Sequence, residues 1–119
     1  MKLLHFWMIT LSTLAGCSSP TEERFEGYFT YGHEVSDFRK CNTNTKIFWL
    51  NGDSSQMQII EKESLQLAQE FNEPYKDIYV IFSGFIEQRE PVGFEEETDG
   101  LLYMTKLLKY SKVRPISCY

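Results

Sequence analysis

The stretch DIYVIFSGFIEQ, residues 77–88, is the longest clean strand pattern in the chain. Side chains alternate along a strand, so Val80, Phe82, Gly84 and Ile86 fall on one face and Tyr79, Ile81, Ser83 and Phe85 on the other. Both faces are apolar, which predicts a central strand, covered on two sides or strongly curled. Gly84 in its middle predicts a bend of the kind that small barrels use at a corner.

Immediately upstream, Ile60, Leu67 and Phe71 share a narrow arc at about 100° per residue, with Ala68 at its edge. Glu61, Lys62, Glu63, Gln66, Gln69 and Glu70 fill much of the remainder, so the spacing predicts an amphipathic helix of about three turns that has ended before Pro74. Residues 53–58 are polar and ambiguous. Further back, Phe25, Gly27, Phe29 and Tyr31 alternate with Glu26, Tyr28 and Thr30, a strand signal interrupted at Gly32 and His33. Residues 35–41 resume it, with Phe38 as core candidate, and Asn42-Thr43-Asn44-Thr45 is a cluster of turn formers. Residues 46–50 form the next strand, and Asn51-Gly52, the strongest short turn dipeptide, is expected to close it.

Downstream, residues 88–100 are expected to be a loop containing Pro91, Gly93 and the acidic cluster Glu95, Glu96, Glu97 and Asp99. Residues 101–110 are expected to form a strand or strand pair, although Leu101, Leu102, Thr105 and Leu108 also satisfy helical spacing. Residues 113–119 are expected to be a short extended tail, with Pro115 suited to an edge. The expected fold class is α+β, mainly β. The order of elements resembles an OB-fold, a small five-stranded barrel with one helix capping one end.

Met1 and Lys2 precede twelve mainly apolar residues, and no acidic residue occurs before Glu22. One basic residue, a short apolar run and small residues are the plan of a secretory signal peptide, too short for a membrane span. Leu14-Ala15-Gly16-Cys17 resembles the lipobox of bacterial lipoproteins. That resemblance implies cleavage before Cys17 and acylation, by palmitate-type chains, of its thiol and of its new amino group. The alternative is an ordinary signal peptide with an incidental cysteine. The expected plan is thus a signal peptide over 1–16, a lipidated tether over 17–24 and one barrel domain over 25–119. Ser18, in the place where Asp retains lipoproteins at the inner membrane of Gram-negative bacteria, resembles outer-membrane cargo.

Removing residues 1–16 leaves 103 of the 119 residues, enough for a single core. With Lys2 gone, 11 basic residues face 17 acidic ones, a balance of -6. That sign argues against nucleic acid and against electrostatic attraction to anionic lipid. Attachment then falls to acyl chains, which contribute about 0.8 kcal/mol per buried methylene. Cys41 and Cys118 remain. In an oxidising envelope they are expected to form a disulfide closing a loop of about 77 residues, for which the chain-entropy model gives about 4 to 4.5 kcal/mol. The competing reading, a thiolate pair on a metal, lacks further Cys or His close to either residue.

Gly27-Tyr28, Phe38 with Cys41 three positions on, Thr43, Trp49, Leu67, Phe71, Tyr79-Val80 running to Gly84, and Cys118 together resemble the C-terminal OB-like domain of NlpE-type envelope lipoproteins and their stand-alone relatives, over residues 25–118. The resemblance implies an outer-membrane lipoprotein linked to copper resistance and to envelope-stress or surface-contact signalling. It also pairs Cys41 with Cys118. The lipocalin-like N-terminal domain of that family, with its Cys-x-x-Cys pair, has no counterpart in these residues, so module and location transfer more readily than metal sensing.

Catalysis would need His33, with Glu34 and Asp37 nearby, to act as a base toward Ser36 or Ser83, with no supporting motif. A surface histidine in a turn is the simpler account, and no enzyme is expected. The acidic cluster lacks the alternating Asp/Asn-with-Gly loop of calcium sites and reads as solvated. Met57, Met104 and His33 would make a soft copper site only if the fold gathered them, so no metal or cofactor is expected. The aromatic surplus, which includes Tyr31, Tyr75, Phe85 and Tyr103, points instead to partner binding, with Tyr28, Trp49, Tyr79 and Phe94 as candidate contacts. Packing on the outer side of the sheet is the alternative. The expected function is an interaction or sensing module of an outer-membrane lipoprotein, facing the periplasm or the cell surface. It would be held by acyl chains, bind an envelope protein and bind no nucleic acid. The alternative is a periplasmic inhibitor or ligand-binding lipoprotein, for example against a cell-wall hydrolase, acting through residues 88–100.

Overall fold

The computed structural model describes residues 20–42 and 46–118. Cys17, the predicted signal segment and most of the predicted turn at 42–45 lie outside the described residues. The elements are β1 (Glu23–Gly32), β2 (Val35–Lys40), β3 (Phe48–Gly52), α1 (Ser54–Phe71), β4 (Asp77–Ile86), a 3-10 turn (Gly93–Glu97) and β5 (Gly100–Ser111). The strands close into a five-stranded barrel in the order β1-β2-β3-β5-β4, with β3 and β5 parallel and every other pair antiparallel. This is an OB-like, α+β and mainly β fold, as the element order predicts.

Closure follows from two close approaches that only glycine permits. At Gly27 the backbone of β2 lies so near that a Cβ would overlap the Arg39 carbonyl. At Gly84 a Cβ would overlap the Tyr103 carbonyl, and the register of β4 on β5 shifts between Ser83 and Gly84. The predicted bend is therefore a bulge, which increases local twist and helps to curl the sheet. Inside, Phe25 stacks on Phe82 at 5.2 Å and Phe38 meets Phe82 edge-on at 5.1 Å. Such ring pairs contribute about 0.5–1.5 kcal/mol each beyond area burial.

The helix α1 is longer than its apolar arc suggests: 18 residues, about five turns. Asp53 accepts from the Ser55 N–H and starts it, so the polar residues 54–58 are its first turns. Asn72, at φ 51°, ends it in the left-handed conformation. Met57, Ile60 and Leu67 plug the barrel, joining the cluster of Phe29, Phe38, Val80 and Leu102. Phe71 does not join them; it is 59% exposed and lies under the Lys76 ammonium. Ser64, fully buried, accepts from the Tyr31 N–H and donates to the Lys76 carbonyl, which fastens the helix to β1 and to the approach to β4.

Three expectations need correction. Asn51-Gly52 makes no hairpin; it ends β3, because Asp53 commits the next residues to a helix and β3 runs parallel to β5. Residues 101–110 are the expected strand, part of one 12-residue strand, and their helix-like spacing comes from two register shifts that leave Thr105 and Leu108 without a partner on β4. The tail is not an extended edge: Cys118 N–H turns back to the Pro115 carbonyl, and Cys118 packs on the outer face of β1 and β4 against Tyr28, Tyr79 and Ile81. The acidic loop is only partly solvated, since Glu95 is buried.

The tail explains why β4 is apolar on both faces. Ile78, Val80 and Phe82 point into the barrel, while Tyr79 and Ile81 sit under the tail with Cys118. Cys118 is bonded to Cys41, just beyond β2, with Cα atoms 4.7 Å apart, so the predicted disulfide is present.

Candidate interaction face

Since Phe38, Leu50, Leu102 and Met104 point inward, alternation places Asp37, Trp49, Asn51, Leu101 and Tyr103 on the outside of β2, β3 and β5. Cross-strand register then orders this side: Asp37 faces Trp49, Trp49 faces Leu101, Asn51 faces Tyr103, and Tyr103 faces Phe85 of β4, with Leu101 itself buried and the others partly exposed. The Phe85 and Tyr103 rings stack at 5.2 Å with 19° between planes.

The loop between β4 and β5 braces this surface. Trp49 Nε1–H donates to Asn51 Oδ1 at 3.1 Å, and Asn51 Nδ2 donates to Glu95 Oε2 at 3.0 Å. Arg89 grips both oxygens of Glu95, at 2.8 and 2.6 Å, and donates through Nε to Glu87 at 2.8 Å. The Val92 N–H adds a fourth donor to Glu95 at 3.0 Å. The Arg89 guanidinium holds the Glu95 carboxyl down to about 2; the Val92 N–H and the Asn51 amide add to this, and burial opposes it. Bidentate, charge-assisted pairing of this kind fixes geometry as well as charge. Asp37, beside Trp49, is shifted the other way, raised by burial with Arg39 opposing and Glu97 adding.

Beside the face, a cleft of about 330 Å³ opens between the end of β3 and the first turns of α1, lined by Tyr31, Ser36, Trp49, Met57, Gln58 and Glu61. Burial raises the Glu61 carboxyl there. The β2–β3 ladder is short, with Asp37 and Phe38 the paired residues of β2, and Ser36 Oγ donates to the Leu50 carbonyl at 2.7 Å where that ladder would continue. The cleft is the seam left by this short pairing.

Of the four predicted contact residues, Trp49 lies on the face, and Phe94 stands on the adjoining 3-10 turn, 47% exposed. Tyr28 and Tyr79 do not present a surface, at 7% and 6% exposure. The Tyr28 hydroxyl donates to the Cys118 carbonyl and the Tyr79 hydroxyl to Glu26, so both hold the tail layer together. Burial, with the Glu26 contact, pushes Tyr79 up to about 12. Asn51, Arg89 and Glu95 were not singled out as a group from the sequence. One signal was available, because Arg89 is the one cation between Glu87 and Thr105 in a strongly acidic stretch.

His33 is exposed and pairs with Glu34 at 3.0 Å, whereas the Ser36 hydroxyl is turned inward and committed to Leu50. Met57 and Met104 are buried in the core, away from the solvent that surrounds His33. Among the described residues no group of three or more His, Cys, Asp or Glu side chains is placed to hold a metal ion. Comparison with protein-family models, with curated proteins and with solved structures found no match to the chain.

Proposed function

We propose that the chain is a bacterial envelope lipoprotein, acylated at Cys17, whose barrel is an interaction or sensing module of the NlpE-like kind at the outer membrane. By that likeness its setting is envelope stress or copper resistance. The observation that carries the reading is the brace from Trp49 through Asn51 and Glu95 to Arg89. A preorganised aromatic and polar surface loses little freedom on association, which suits it to recognition. The Cys41–Cys118 bond supports an oxidising compartment, since such bonds persist outside the reducing cytosol.

Crosslinking and pull-down of the full chain from its native envelope tests the reading, with Trp49→Ala beside the parent and Cys17→Ser as the anchoring control. The expected result is a defined envelope protein recovered with the parent and lost with Trp49→Ala. Unchanged recovery with Trp49→Ala overturns the assignment of this face. A second reading is favoured by the exposure of Val92 (66%) and Phe94 (47%) on the braced loop, a shape that could enter the cleft of a cell-wall hydrolase. Loss of binding with Phe94→Ala but not with Trp49→Ala points to that reading.

A further inference from the structure

We infer that the outer face of β1, β4 and β5, together with the disulfide-held tail, docks on anionic lipid headgroups and lays the barrel face-down on the bilayer. The net charge of the chain conceals this surface. Residues 106–116, KLLKYSKVRPI, carry four of its 12 basic residues and none of its 17 acidic ones.

The register gathers the cations. Ser83 on β4 lies between Arg24 of β1 and Lys106 of β5, and Ile81 lies between Glu26 and Lys109. Partners across a sheet share a face, and Ile81 belongs to the outer cluster under the tail. Lys106 and Lys109 therefore flank the tail on the same side of the sheet. Both are exposed, and neither engages an acidic side chain among the described residues. The other charges there are committed: Lys112 to Glu63 and Glu70, Arg114 to Asp77, and Glu26 to Tyr79 and Arg24. Glu22 accepts from the neutral Thr105 hydroxyl and keeps its charge, so the two lysines exceed it by one.

The tail adds apolar points. Ile116 is 90% exposed and Val113 75%, although Cys118, two residues beyond Ile116, is buried and covalently pinned. Aliphatic side chains held out by a fixed turn beside unpaired lysines match an interfacial surface, in which apolar tips enter the headgroup boundary and cations meet lipid phosphates. The tether favours the same orientation. The chain enters β1 at Glu23, opposite Gly84 and one register step from Lys106. The five residues between Cys17 and Glu23, six Cα steps, span at most about 20 Å. This last point rests on Cys17 being the anchor; the charge and exposure arguments do not.

Co-sedimentation of the full chain with phosphatidylcholine vesicles, or with an equal mixture of phosphatidylcholine and phosphatidylglycerol, tests the inference. The mass of the N-terminal peptide is read on the same preparation. The expected result is tighter binding to the anionic vesicles, weakened by salt. Lys106→Gln and Lys109→Gln should each weaken anionic-vesicle binding roughly five-fold. Val113→Ser with Ile116→Ser should lower binding to the same vesicles, and Cys17→Ser should lower total binding while the preference for anionic vesicles persists. Equal binding to both vesicles by acylated protein overturns the docking surface and leaves the anchor standing. A preference that persists without acyl mass does the reverse. A preference indifferent to both lysine substitutions, or retention by a sulfated glycan with no vesicle preference, also overturns it.

Discussion

Glu95 shows how one side chain can set a loop's conformation. Four donors converge on its carboxylate from Arg89, Val92 and Asn51, and it is 7% exposed. Its folded value, about 2, lies below the ordinary 4.5. The depressed group contributes stability that is fully present above about 4.5 and is lost as the pH falls toward about 2. Glu95→Gln is therefore expected to cost about 1–3 kcal/mol at neutral pH and to flatten the acid limb of the stability profile. Denaturant midpoints measured across that range check it. An acid limb as steep in Glu95→Gln as in the parent would show that the carboxylate does not carry it. None of this is legible in the run Glu95-Glu96-Glu97, where three identical residues differ only in which way the backbone turns them.

Among the elements, β4 was the most legible and α1 the most underestimated. Apolar residues on both faces of residues 77–86 report burial whatever covers them. The identity of the two covers, barrel core and tail, is tertiary. The helix start was hidden because Ser54, Ser55 and Gln56 bury little and so leave no periodic mark. What starts it is a capping contact, the Asp53 carboxylate accepting from Ser55. Asp53→Ala is expected to lose about 1 kcal/mol, with reduced helical circular dichroism near the melting point. Parent-like stability would mean that core contacts of Met57 and Ile60 hold the first turns unaided. The misread Asn51-Gly52 follows from the same contact, because a turn dipeptide makes a hairpin only when an antiparallel strand returns beside it.

At the scale of the molecule the tail functions as a second layer. The bond between Cys41 and Cys118 spans 77 residues and pins a segment that covers Tyr28, Tyr79 and Ile81. The variant with both Cys41→Ser and Cys118→Ser is expected to lose about 4 kcal/mol, with the barrel retained and the outer tyrosines uncovered. Denaturant unfolding gives the first quantity, and binding of an apolar fluorescent dye reports the second. Dye binding like the parent's would show that the tail stays down without its bond.

By itself the sequence determined the fold class, the central strand, the helix and the disulfide partners. The first three follow from local periodicity, and the pairing from the expectation that the lipobox-like Cys17 is engaged elsewhere, which leaves two of three thiols. Only the tertiary structure decided which aromatic residues are surface: Tyr28 and Tyr79 have the same alternation as any outward-facing pair, yet a tail from the far end of the chain covers them. It also decided that the lysines at 106 and 109 share a face with that tail. Periodicity is written within one element, whereas burial and charge clustering depend on which elements become neighbours when the barrel closes.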